Sequence, residues 1–210
     1  MQRVRKVEGN LYEFESSPSA QVVAQTTQLL LSKGEDAENA GQADAALGFY
    51  QQALLANPMG TDAILNIGRI AHSRGNWEFA EECYRKALEI DPSYAFAHCN
   101  LAYVLGEKSP PQRTEAIKHY EKALALQSNY PDAHYNLALE YESVGEERKA
   151  LAHWRLYLRY GIGASLSSRA VAQRQIVLLE AALSQFPVKH AVSHRTSIPK
   201  TDSEAGSCPV

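Results

Sequence analysis

Cysteine is scarce: 210 residues carry Cys83, Cys99 and Cys208, with no CxxC pair among them. An odd, widely spaced set of thiols makes neither a disulfide framework nor a zinc site, and reads as reduced cysteine. Long apolar runs are missing as well. The longest, Leu29–Leu31 and Ile176–Leu179, fall far short of the roughly 20 residues a membrane span requires. The opening MQRVRK is basic, but no apolar stretch of signal-peptide length follows it, so a cytoplasmic location is expected. Cys208 lies too near the end for a four-residue prenylation box. Nor is there an excess of positive charge. A net charge of −3 argues against direct contact with nucleic acid or an anionic membrane, which needs a basic stripe to displace counterions. No glycine-rich phosphate loop, HExxH, GxSxG or dinucleotide fingerprint occurs, so no cofactor and no enzymatic role are expected.

What the chain does have is repetition. Thr61-Asp-Ala-Ile-Leu-Asn-Ile-Gly and Pro131-Asp-Ala-His-Tyr-Asn-Leu-Ala follow one template. Three times the chain runs through an alanine, a tyrosine four residues on, and an alanine three beyond: Ala46/Tyr50/Ala53, Ala80/Tyr84/Ala87 and Ala116/Tyr120/Ala123. The first two sets are 34 residues apart and the third is displaced by 36. A degraded fourth set, Ala150/Trp154/Tyr157, follows after another 34. Each unit reads as two helices. In the clearest, apolar residues at helical spacing fill Asp62–Ser73, and Gly75 suits the left-handed turn that ends a helix. A second helix is expected from Trp77 to Ile90, stopped by Asp91-Pro92, because proline cannot extend it.

The segment Ile64-x2-Ile67-Gly68-x2-Ala71, continuing through Ala80-x3-Tyr84-x2-Ala87 to Pro92, resembles the signature of the tetratricopeptide repeat (TPR). The resemblance implies an all-α fold: a right-handed solenoid of about four helix pairs closed by a C-terminal capping helix. Repeats are placed at 27–60, 61–94, 95–130 and 131–164, with the first helix starting near residue 18 after an extension over 1–17. The third repeat departs by an insertion around Ser109-Pro110-Pro111 and by Ser128 in place of proline. The fourth departs by bulky Trp154 and Tyr157. A capping helix over 165–186 would place Val171, Ile176, Leu179 and Leu183 near one face. From 187 to 210 the polar, proline-containing sequence reads as a disordered tail.

In this family the first helices of successive repeats line a concave groove. Carried over, the groove includes Leu65, Asn66, Arg69 and His72, then Phe96, Cys99, Asn100 and Tyr103, then Tyr135, Asn136 and Leu139, with Leu31, Glu35 and Glu38 at the first repeat. Asn66, Asn100 and Asn136 occupy one slot in three consecutive repeats. An amide donates and accepts, so such a row suits the backbone of an extended peptide, as in the asparagine ladder of O-linked N-acetylglucosamine transferase. The same amides could instead bond neighbouring helices and fix the stacking. The chaperone-tail subclass grips a terminal carboxylate with lysines and asparagines, and of the matching positions here, Leu31, Glu35, Asn66, Phe96 and Asn100, only the asparagines agree. Without the cations that clamp is not expected.

His98 and His134 share a slot that in this family packs against the second helix, and two histidines without a further ligand make a poor metal site. Packing is expected of both; His190 and His194 fall in the tail. Cys99 has no activating partner in the sequence and reads as an inert thiol. The function expected is a scaffold or adaptor that binds a protein or peptide partner. The alternative is the regulatory half of a larger system, such as one split from a helix-turn-helix regulator, although no such domain fits into the residues ahead of the first helix.

Overall fold

The computed structural model describes residues 4–6, 12–14 and 18–185. Nine helices fill nearly all of the described residues. They are α1 (Pro18–Asn39), α2 (Ala43–Ala56), α3 (Thr61–Ser73), α4 (Trp77–Ile90), α5 (Ala95–Glu107), α6 (Arg113–Leu126), α7 (Pro131–Ser143), α8 (Glu147–Tyr160) and α9 (Leu166–Gln185). One further element carries no repeat or helical signal. Strands β1 (Val4–Lys6) and β2 (Tyr12–Phe14) pair antiparallel with Arg5 opposite Glu13. The N-terminal extension is therefore not helical where it is described. The tail expected over 187–210 lies outside the described residues.

Helix ends follow local chemistry. α1 opens on a proline, whose missing N–H costs nothing in a first turn. Asn76 caps α4 by accepting from the Phe79 amide at 3.3 Å. Past α4, Asp91 Oδ1 accepts from the Ser93 amide at 2.9 Å and turns the chain toward α5. The α3–α4 turn passes through Gly75 at φ +74, a conformation that a side chain resists. The third pair crosses with Ser109-Pro110-Pro111 instead, and there the Gln112 amide reaches back to the Leu105 carbonyl at 2.8 Å.

Each helix packs on the one before and the one after it, and α3, α5 and α7 also touch in series. This is the nearest-neighbour stacking of a solenoid. The repeated alanine, tyrosine and alanine form its spine, with every member of the first three sets at most 1% exposed. Gly68 explains the close crossing within a pair. A Cβ there would stand 2.7 Å from the Tyr84 ring and 3.0 Å from Cys83 Cβ. At the far end, Trp154 is fully buried and Tyr157 nearly so, and α9 closes over them through Ala172, Ile176 and Leu179. Val171, expected on that inner face, is 43% exposed; Ala172 holds the place, because its single methyl lets α9 approach α8 closely. Arg169 fixes the same junction by donating to the Gly161 carbonyl at 2.8 Å.

Candidate functional site

Two adjoining depressions lie along the face formed by α1, α3, α5 and α7. The larger, about 420 Å³, has Asn100, Asn136, Tyr103 and Tyr130 in its wall. The smaller, about 310 Å³, runs from Leu31 and Glu35 past Leu65 and Asn66 to Phe96. Arg69 borders both. This places twelve of the fourteen expected groove residues, Leu65, Asn66, Arg69, Phe96, Asn100, Tyr103 and Asn136 among them, at one continuous surface.

The three asparagines are not equivalent. Asn66 is buried, and its Oδ1 accepts from Arg69 Nη1 at 2.9 Å, one turn away on α3. Asn100 and Asn136 are half-buried and make no side-chain hydrogen bond among the described residues. The helix-to-helix bonding that was the competing role for this row is absent from both. Two other expected residues sit apart from the depressions. Tyr135 packs edge-on against Trp154, ring centroids 4.9 Å apart, and against Tyr157 at 5.1 Å. It belongs to the core of the fourth pair, where the bulky replacements of Tyr and Ala demand a ring to pack on. Leu139 is 37% exposed on α7 and borders neither depression.

Electrostatics on this face are one-sided. Glu38 and Asp132 border the larger depression, Glu35 and Asp62 the smaller. The one cation bordering them, Arg69, is held by Glu38 at 3.5 Å as well as by Asn66. Asp62 in turn accepts from the Tyr94 hydroxyl. Asp62, Asp132, Tyr94 and Tyr130 were not picked out from the sequence. The first two occupy the same repeat position as Phe96, and the tyrosines each stand just before a first helix, so the periodicity held the signal. His72 lines the larger depression, with its ring edge-on to Tyr103 at 5.1 Å.

Cys99 also reaches the larger depression but is 3% exposed. Burial pushes its thiol up to about 12, which leaves no thiolate at neutral pH. Among the described residues no group of three or more His, Cys, Asp or Glu side chains is arranged to hold a metal ion. No described helix is long and apolar enough to cross a membrane. The face thus offers hydrogen-bonding amides, aromatic area and negative charge.

Residues 68–109 and 112–145 match the TPR-repeat family. Among solved structures the chain is similar to MamA, at 26% identity and a TM-score of 0.59 over 72% of this chain and 84% of that one. It is also similar to a mutant O-GlcNAc transferase from Thermobaculum terrenum, at 25% identity and a TM-score of 0.60. That likeness covers 70% of this chain but 28% of the transferase, so it concerns the repeat region alone. The first TPR of Spaghetti, solved with the HSP90 peptide SRMEEVD, shares the fold at 22% identity and a TM-score of 0.53, over 58% of this chain and 94% of that one. No curated protein sequence matches this chain. The matched residues 68–109 and 112–145 are TPR repeats, and the stacked helix pairs on either side continue the same helical solenoid.

Proposed function

We propose that this chain is a non-catalytic scaffold that holds an extended, positively charged segment of a partner protein along α1, α3, α5 and α7. One observation carries the reading: Asn100 and Asn136 stand unengaged in one depression, beside four carboxylates and a single guanidinium already held by two neighbours. An unengaged amide pairs with a peptide N–H and C=O whatever the side chain. Surplus carboxylates then favour lysine or arginine in the ligand, and Phe96, Tyr103 and Tyr130 supply apolar contact.

The neighbour solved with an HSP90 peptide supports ligand capture by this fold. Its acidic sequence, SRMEEVD, is the wrong ligand for this face, which would repel it. Selection of peptides from a random display library on the full chain tests the proposal. Enrichment of lysine and arginine is expected, with affinities that weaken as salt rises. Enrichment of acidic peptides, or selected peptides that bind an Asn100→Ala/Asn136→Ala variant as well as wild type, would overturn it.

A further inference from the structure

The slot shared by His98 and His134 has a counterpart on each second helix. In the first pair the two positions are Leu30 and Phe49, and in the second Ile64 and Cys83, so both are filled by apolar side chains packed in the core. In the third and fourth pairs every one of these positions is histidine. His98 Nδ1 lies 2.9 Å from His119 Nδ1, and His134 Nδ1 lies 3.0 Å from His153 Nδ1. The outer nitrogens match too: His98 Nε2 is 3.1 Å from the Pro92 carbonyl and His134 Nε2 is 3.0 Å from the Ser128 carbonyl.

Carbonyl oxygens only accept, so His98 and His134 must carry their proton on Nε2. A neutral ring has one N–H, so their Nδ1 atoms are acceptors, and His119 and His153 must donate from Nδ1. The bond between helices therefore exists only while at least one ring of each pair stays neutral. A second proton in a pair sets two Nδ1–H groups face to face. His119 and His153 can take a proton on Nε2 with the bond intact, but then a charge sits in the seam between helices.

We infer that these two histidine pairs are acid-sensitive latches that close α5 on α6 and α7 on α8 at neutral pH and release them on acidification, while the matching positions of the first two pairs hold apolar groups that take up no proton.

The surroundings work against a cation. His98 meets His119 and Lys122 from α6 and the Pro92 carbonyl from the α4–α5 turn. His119 has Glu115 at 3.9 Å and Lys122 on its own helix, with Arg85 facing it from α4. His134 is stacked on Tyr160 of α8 and bonded at the Ser128 carbonyl. His153 is stacked on Tyr141 of α7, and Glu121 of α6 is the one carboxylate acting on it. Desolvation holds all four rings below the ordinary imidazole range, His153 down to about 4. An unfolded imidazole titrates near pH ~6.5. Below that the unfolded chain binds more protons than the folded one, so stability falls as pH falls and keeps falling toward the folded values.

Melting of the full chain under reducing conditions tests this from about pH 7.5 to about pH 5, above the range in which carboxylates protonate. The wild-type midpoint should fall on the order of 10 °C across that interval. A quadruple variant carrying the identities of the second pair (His98→Ile, His119→Cys, His134→Ile, His153→Cys) should lose less than half as much. An undiminished fall in the variant overturns the inference. Nitrogen-15 spectra of the wild-type rings give a second reading that does not depend on the variant folding. They should show Nε2–H tautomers at His98 and His134 and Nδ1–H tautomers at His119 and His153, and one tautomer common to both members of a pair refutes the latch. α5 and α7 also carry Asn100 and Asn136, so acid release of a bound peptide would follow. That consequence rests on the proposed groove, whereas the melts and ring spectra do not.

Discussion

Replacing Gly68 with alanine tests the close crossing of α3 and α4 most directly. The new Cβ would stand 2.7 Å from one Tyr84 ring carbon and 3.1 Å from the next, with Cys83 Cβ at 3.0 Å. Tyr84 is 1% exposed and fills its site, so the ring cannot swing away and the helices must part. Overpacking of this kind costs about 1–3 kcal/mol. Removal of a glycine from a helix interior returns roughly 1 kcal/mol. The net loss is up to about 2 kcal/mol, a fall in melting temperature of up to about 8 °C for a chain of this size. Gly48, inside α2, supplies the control, because a Cβ there meets nothing within 4 Å. Gly48→Ala should therefore raise the midpoint by about 2–4 °C from propensity alone. Thermal melts followed by far-ultraviolet circular dichroism measure both. If Gly68→Ala stabilises the chain as much as Gly48→Ala does, the close-crossing argument is wrong.

Trp154→Ala empties the centre of the last pair and should cost about 3–5 kcal/mol, read by denaturant unfolding together with loss of near-ultraviolet signal. Arg113 donates to the buried Glu140 at 3.0 Å, bridging α6 to α7. Arg113→Leu leaves that carboxylate unpaired and should cost about 1–3 kcal/mol, most of it recovered by adding Glu140→Gln in a double-mutant cycle. Asn100→Ala should weaken a selected peptide about 2- to 10-fold by fluorescence anisotropy, because one neutral hydrogen-bonding site is lost, while the melting temperature holds. An equal loss of stability would return Asn100 to a structural role.

The helix pairs were legible because their causes are local. The alanine and tyrosine periodicity, Gly75 and Asp91-Pro92 each act within a few residues, and α4 runs from Trp77 to Ile90 as those signals require. Contacts made across the stack were harder to read. Tyr135 shares its repeat position with Cys99, yet it packs into the fourth core because Trp154 and Tyr157, some twenty residues on, reshape that pair. The two histidine pairs join residues about as far apart, so periodicity revealed His98 and His134 as equivalent without revealing what they touch. Asn66 and Arg69 are neighbours on one helix face, and the sequence held that bond in plain spacing. Ala172 took the place expected of Val171 because apolarity alone does not say which of two adjacent positions faces inward.

Because each helix leans mainly on its neighbours in the chain, most tertiary contacts close short loops. Chains of low contact order fold rapidly, and a solenoid can nucleate at any pair and grow from there. Residues 19–26 of α1 are all exposed and extend past the reach of α2, so they gain little from that growth. Amide deuterium exchange should therefore be graded along the molecule, slowest through α3 to α6, where both flanks are covered, and fastest in the opening turns of α1.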